Sequence, residues 1–430
     1  MARLASTPPS VYAAFMTDVA DDRLAAQYET YPYPRRDPRD EAKRLIVGSP
    51  GHLKEIDYWV FGARRPISQP LRALIAGGGT GDATIMLAQQ MAREGRAGSV
   101  TWLDRSAASL KIAQARAAVR GLTNIIWEQR SLLDLAASGL GPFDYIDCCG
   151  VLHHLPDPAE GLRALLSVLA PGGGLGLMVY APHGRTGVYM LQNALRLLAP
   201  AHEPPAARLD VAKRVMRHLP ETAWLRRNNF LDDHVNGGDA GLYDLLLNPR
   251  DQAFTVHQLH RMLADEGLAV ACWVEPTRYD PTPLLPDPRL RARVDALSPI
   301  DRAALAEALA GNVSAHIVYC VRQTEQRERA DFMAPGVIPV TREIPGPALA
   351  NGIQPDGTIA VLFDGIRVPV ALPALAPAIL RLVDGHRTVG GIASEIAARG
   401  TSSEAFDRAW RSTFEALERI NRLLLAAPLS

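Results

Sequence analysis

The stretch Leu71-Arg-Ala-Leu-Ile-Ala-Gly-Gly-Gly-Thr-Gly-Asp82 decides the fold of this chain. Its first six residues are apolar except for Arg72, as expected of a strand buried in a parallel sheet. Gly77, Gly79 and Gly81 then permit a tight turn whose backbone can approach a ligand closely. Asp82-Ala-Thr-Ile-Met-Leu-Ala-Gln-Gln-Met91 follows as a predicted helix, with its amide-rich N-terminus aimed at the turn. Nicotinamide, flavin and other nucleotide folds all use such a turn, so its neighbours have to narrow it.

Outward from the turn, strand and helix signals alternate from about Leu71 to Tyr180. A second strand, Ser99 to Asp104, ends in an acid, and a helix from Ala107 to Arg120 is closed by Gly121. Asn124 to Trp127 reads as a third strand. Phe143 to Cys149 reads as a fourth and runs into Gly150-Val-Leu-His-His-Leu-Pro156. A helix from Ala159 to Leu169 is stopped by Pro171-Gly-Gly-Gly174, and Leu175 to Tyr180 is the fifth strand. The alternation predicts an α/β chain with a doubly wound parallel sheet, helices on both faces, and ligands beyond the carboxyl ends of the strands.

Past Tyr180 the pattern loosens into a helical, loop-rich insertion over 181–254. A helix from Val256 to Glu266 then feeds a strand, Leu268 to Val274. A second, proline-rich insertion at 277–311 precedes a last strand, Val313 to Val321, and Gln323 to Ala330 reads as a charged linker. From about Pro335 a separate unit begins. It has a strand-like run from Thr358 to Val370, helical segments over Leu372 to Val383 and Val389 to Arg399, and a terminal helix from Ser403 to Leu425.

Composition excludes several classes. The 430 residues suffice for two or three domains. Lys+Arg and Asp+Glu both number 46, which leaves no global charge to attract nucleic acid or an anionic membrane. Four cysteines, Cys148 and Cys149 adjacent, form no disulfide framework and no zinc-type pair, so a reduced cytoplasmic setting without metal is expected. The longest apolar runs fall short of a membrane span, and residues 1–22 carry acids where a signal peptide needs an apolar core. The composition is compatible with a homo-oligomer.

Four motifs match a known family in order and spacing: the glycine turn Ala76-Gly-Gly-Gly-Thr-Gly81, the strand end Trp102-Leu-Asp-Arg-Ser106, Phe143-Asp-Tyr-Ile-Asp-Cys-Cys-Gly-Val-Leu-His-His-Leu155, and Leu169-Ala-Pro-Gly-Gly-Gly174. Over roughly residues 66–322 the chain resembles class I S-adenosylmethionine-dependent methyltransferases. Gln27-Tyr-Glu-Thr-Tyr-Pro-Tyr-Pro-Arg35 resembles the Tyr-Pro leader of a bacterial subgroup of these enzymes. The resemblance implies a Rossmann-like sheet of about seven strands with an antiparallel last strand. Together with the separate unit read from Pro335, the chain divides into an N-terminal helical cap or lid over 1–65, a methyltransferase domain over 66–323 carrying insertions at 181–254 and 277–311, and an accessory unit over 335–430.

The same resemblance implies roles for residues. Gly77, Gly78, Gly79 and Gly81 would pass beside the amino-acid part of S-adenosylmethionine, whose product is S-adenosylhomocysteine. Asp104 would accept both ribose hydroxyls, since a carboxylate has two acceptor oxygens. Arg105 either flanks the adenine or is a solvated surface residue. Ser131 stands where many relatives carry an acid for the adenine amine, and Leu132 would pack on the adenine face. Cys149 ends the fourth strand beside the sulfonium. Ile75 departs from the family, most of whose members have an acid there to hold the cofactor's amino-acid group. Asp82 or a leader residue is the expected substitute.

Transfer from a sulfonium needs an aligned nucleophile and little water, and a base only when the acceptor is protonated. His153 and His154 are the candidate bases. Adjacent residues face different ways, so at most one reaches the site; the other reading of His154 is that it packs the following turn. With no further ligand at suitable spacing the pair does not suggest a metal. Tyr28, Tyr31 and Tyr33, stiffened by Pro32 and Pro34, are either a lid or staples for the leader. Arg185, Arg226, Arg227, Asp232, Asp233 and His234 form either a substrate cluster or a solvated face.

Leu380-Arg-Leu-Val-Asp-Gly-His-Arg-Thr-Val389 faintly resembles a run found in winged-helix modules. It implies peptide or protein recognition, or dimerisation, in a small α+β accessory domain, or else plain support of the catalytic part. The sequence thus predicts methyl transfer to an oxygen or nitrogen of a small molecule or a peptide or protein. A nucleic-acid methyltransferase and a non-catalytic methyltransferase-like binding or assembly module are the alternatives; no Asn/Asp-Pro-Pro-aromatic tetrad is present.

Overall fold

The computed structural model describes residues 23–427; residues 1–22, on which the signal-peptide reading rests, lie outside the described residues, as do 428–430. Seven strands form the central sheet: β1 (Leu71–Ala76), β2 (Gly98–Asp104), β3 (Ile125–Gln129), β4 (Phe143–Cys149), β5 (Leu169–Tyr180), β6 (Leu268–Trp273) and β7 (Ala315–Arg322). Their order is β3-β2-β1-β4-β5-β7-β6. The first five are parallel, and β7 runs antiparallel to both β5 and β6. The fold is the Rossmann-like sheet expected, with the antiparallel last strand in place.

The order reverses between β1 and β4. Connections leave the two strands toward opposite sides there and open a crevice at their carboxyl ends. Local chemistry sets the frame around it. Helix Ala107–Val119 begins where the Ser106 hydroxyl accepts the Ser109 amide at 3.0 Å. The Gly78 position is closed by packing, because a Cβ there would stand 2.2 Å from the Trp102 ring. At Gly81, φ is +102°, a left-handed conformation that ends the turn and starts helix Asp82–Arg93.

One face of the sheet packs helices Pro158–Ser167 and Val256–Asp265, through Leu162, Leu165, Leu259 and Leu263. The other packs helix Asp82–Arg93, the turn around Ile56–Phe61, and the C-terminal unit. Insertion 181–254 folds as helices with its own core of Leu191, Leu195, Leu209, Tyr243 and Leu246. Among the described residues no helix is long and apolar enough to cross a membrane.

The C-terminal unit differs from expectation in three places. The run from Thr358 is a hairpin, β9 (Thr358–Phe363) and β10 (Ile366–Ala371), because Asp364 and Gly365 both adopt positive φ. Between Leu372 and Val383 only Ala376–Leu380 is helical. The terminal helix stops at Glu418; Asn421 turns left-handed, and Leu423–Ala426 becomes β11, antiparallel to β8 (Ile338–Thr341). The Leu380 to Val389 run is a capped turn. Asp384 accepts the amides of His386 and Arg387, and Thr388 caps helix Val389–Ala397.

This unit is locked to the sheet by buried polar groups. Glu55 accepts from Asn421 at 2.6 Å and from Tyr319 of β7 at 2.6 Å, and it pairs with Arg342. Trp59 donates to Asn421 and the Tyr58 hydroxyl to Glu418.

Candidate functional site

A cavity of about 590 Å³ opens at the carboxyl ends of β1, β2, β4 and β5, and the leader crosses over it. Gly77, Gly78, Gly79, Gly81, Asp82, Asp104, Arg105, Ser131, Leu132 and Cys149 all line it. So do Tyr28, Tyr33 and His154, together with Ile75, Asp147, Met178, Tyr180 and Asp244. Three of the four family motifs, far apart in sequence, converge here because they end β1, β2 and β4 at the same edge; the fourth, Leu169–Gly174, opens β5 and does not line the cavity.

Asp104, at the end of β2, accepts the Gly79 amide at 2.8 Å and the Ser106 amide at 2.9 Å. Burial raises its carboxyl above the ordinary value, and the two amides and the Arg105 backbone partly offset this. Asp104→Ala should weaken S-adenosylhomocysteine binding about 10- to 100-fold, the worth of hydrogen bonds to a charged acceptor, measured by calorimetry. Unchanged affinity would show the ribose lies elsewhere.

Asp82 is committed to protein partners. Arg36 of the leader donates to both of its oxygens, at 2.9, 3.1 and 2.6 Å, and Arg116 donates at 2.6 Å. Its expected role as the substitute acid is therefore not open to it through a free oxygen. Arg116, fully buried, also pairs with Glu41 at 2.5 Å and donates to the Thr80 carbonyl at 2.7 Å. The network ties leader, glycine turn and helix Ala107–Val119 together.

Sequence reasoning missed Asp147. It lies in register with Ile75 on the neighbouring strand, so the two side chains leave the sheet on the same face. The Asp147 side chain is buried, one oxygen accepts the Tyr145 hydroxyl at 3.1 Å, and Oδ1 has no partner among the described residues. Burial pushes its carboxyl up to about 7, against the weaker opposing pull of Tyr145. The sign for stability follows from linkage. An acid with a raised folded value stabilises below its ordinary range, and that contribution is lost as pH climbs to about 7. Asp147→Asn should therefore raise the thermal midpoint of cofactor-free protein more at pH 8 than at pH 5. Equal shifts at both would mean that Asp147 ionises normally.

Beyond β4, the two histidines separate. His153 is buried against the Tyr180 ring at 3.9 Å, does not line the cavity, and has no partner for either ring nitrogen among the described residues. Burial holds it neutral. His154 lines the cavity, with Nδ1 2.6 Å from the Arg250 carbonyl oxygen. A carbonyl only accepts, so Nδ1 carries the proton and Nε2 keeps its lone pair. Cys149 lines the cavity as a protonated thiol, burial raising it well above its ordinary value.

The leader is both wall and staple. Tyr28 donates to Asp244 at 2.9 Å and Tyr33 to Asp233 at 2.7 Å, and both line the cavity. Glu29 caps the next helix through the amides of Ala107 and Ala108. Tyr31 turns away and stacks on Tyr243 at 5.2 Å. Arg185, expected at the substrate, is buried behind Tyr180, its guanidinium 3.6 Å from the ring centroid and paired with Asp251 at 2.8 Å. His234 does not line the cavity, and Arg226 and Arg227 bond to the Leu219 and Glu221 carbonyls. The polar cluster is thus dispersed, except for Asp233 through Tyr33.

The residues present fit S-adenosylmethionine: an acid ends β2, a glycine turn lines the cavity, and so does Asp147, whose buried Oδ1 has no partner among the described residues. A methyltransferase-domain family model matches residues 74–175. An uncharacterized protein of Synechococcus sp. is 32% identical over 302 residues, covering 69% of this chain and 71% of that one. A ubiquinone biosynthesis O-methyltransferase of Caulobacter sp. is 34% identical over 192 residues, covering 43% of this chain and 69% of the relative. Among solved structures, PKMT2 from Rickettsia typhi in complex with AdoHcy superposes with a TM-score of 0.60 at 17% identity, covering 88% of this chain and 75% of that one. Fold and motifs define an S-adenosylmethionine-dependent enzyme. The chain belongs to the class I S-adenosylmethionine-dependent methyltransferases.

Proposed function

We propose that this methyltransferase modifies an oxygen or nitrogen nucleophile of a small molecule or a peptide, which enters between His154, Tyr180 and the leader tyrosines. The observation that carries this reading is the orientation of His154, whose proton-bearing Nδ1 is held by a backbone carbonyl while Nε2 is left to accept a proton. The cofactor supplies an already activated methyl group. Asp104 would hold the ribose, the glycine-turn backbone the amino-acid part, and Ser131 and Leu132 the adenine, with Cys149 and Gly150 beside the sulfur.

The remaining residues orient and enclose. Tyr28 and Tyr33, each fixed by an aspartate, would wall the acceptor side and exclude water. The name of the Caulobacter relative supports an oxygen acceptor. In this reading the leader up to residue 65 is the cap. The unit from 335 serves chiefly as support, which agrees with its buried bonds to Glu55. Cell extract incubated with enzyme and isotope-labelled donor tests the proposal. Label on an oxygen or nitrogen of a small molecule or peptide is expected, and label confined to nucleic acid would overturn it.

A further inference from the structure

The positive α-amino group of the cofactor needs an acceptor, and the end of β1 offers only Ile75. Five carboxylates line the cavity: Glu29, Asp82, Asp104, Asp147 and Asp244. Four of them have both oxygens engaged. Glu29 caps two helix amides, and Asp82 receives two guanidinium groups. Asp104 receives two amides, and Asp244 receives Gln27, Tyr28, Asn248 and Tyr180. Asp147 alone among them keeps an oxygen, Oδ1, without a partner among the described residues.

Its position is also the right one. Asp147 is the in-register neighbour of Ile75 on the same face of the sheet, at the point where the strand order reverses. Gly51 closes over its other oxygen so tightly that a Cβ would lie 2.7 Å from Oδ2, and the Tyr319 hydroxyl holds the Gly51 amide at 3.1 Å. The carboxylate is thus fixed from behind, with one acceptor left over. We propose that Asp147 receives the α-ammonium of S-adenosylmethionine and so replaces, from the adjacent strand, the acid that Ile75 displaces. This rests on the cavity being the cofactor site.

The test compares three ligands by calorimetry: S-adenosylhomocysteine, its analogue lacking the α-amino group, and 5′-methylthioadenosine, which lacks the whole amino-acid part. In wild type, deamination should weaken binding about 10- to 100-fold, the range for a charge-assisted hydrogen bond. Asp147→Asn should lose that much for S-adenosylhomocysteine, be nearly indifferent to deamination, and bind methylthioadenosine as wild type does. Equal weakening of all three ligands would overturn the proposal, since it would mark Asp147 as merely structural. Deamination without effect in wild type would overturn it too, a result that needs no variant to fold. Asp147→Ser provides a second, smaller substitution. If wild type bound none of the three, the cavity reading itself would fall, and this assignment with it.

Discussion

Replacing His154 by alanine is expected to lower turnover by about two to four orders of magnitude, the usual worth of a positioned general base, while leaving cofactor affinity unchanged. The imidazole lines the cavity, one ring nitrogen committed to the Arg250 carbonyl. His154→Gln, which can accept a hydrogen bond but cannot take up a proton, should fall as far as alanine. Labelled-methyl turnover and S-adenosylhomocysteine calorimetry measure the two quantities separately. Normal turnover in either variant would end the base role. Equal loss of turnover and affinity would make His154 a packing residue.

Arg116→Met should cost about 3 kcal/mol of stability, the lower end for breaking a buried ion pair. The side chain is 1% exposed and serves Glu41, Asp82 and the Thr80 carbonyl together. Its loss leaves Glu41, 3% exposed, with Arg120 as the remaining guanidinium. The leader should loosen as well, so cofactor affinity falls with stability. Adding Glu41→Leu removes a buried charge then held by Arg120 alone, while Arg120 keeps the Arg44 carbonyl, and the double variant should recover part of the thermal midpoint. A single variant that melts like wild type would show that the network contributes nothing net.

The central sheet is legible where a strand is a short apolar run closed by glycine or an acid, as β1, β2 and β4 are; β5 starts at Leu169, earlier than the Leu175 expected, and carries Pro171-Gly-Gly-Gly174 within it. The sequence marks Phe143–Cys149 to the residue, and β1 likewise. The sequence extends the terminal helix to Leu425 because Leu423-Leu-Leu-Ala426 has no period that separates helix from strand. Only β8, far away in sequence, supplies the partner that makes it extended. Arg185, which the sequence puts in either a substrate cluster or a solvated face, is buried because Asp251 and Tyr180 come to it through folding.

The sequence by itself determined the family, the sheet and the edge where the motifs gather, since these follow from local apolar runs, turn glycines and strand-ending acids. The tertiary structure alone decided which leader tyrosines face the cavity, which histidine does, and which acid keeps an oxygen without a partner among the described residues. Asp147 reads as one more residue of a buried strand until β1 and β4 are set in register. Ile75 and Asp147 are neighbours only across that pairing. Long-range strand register places the one beside the other, and no local pattern encodes it.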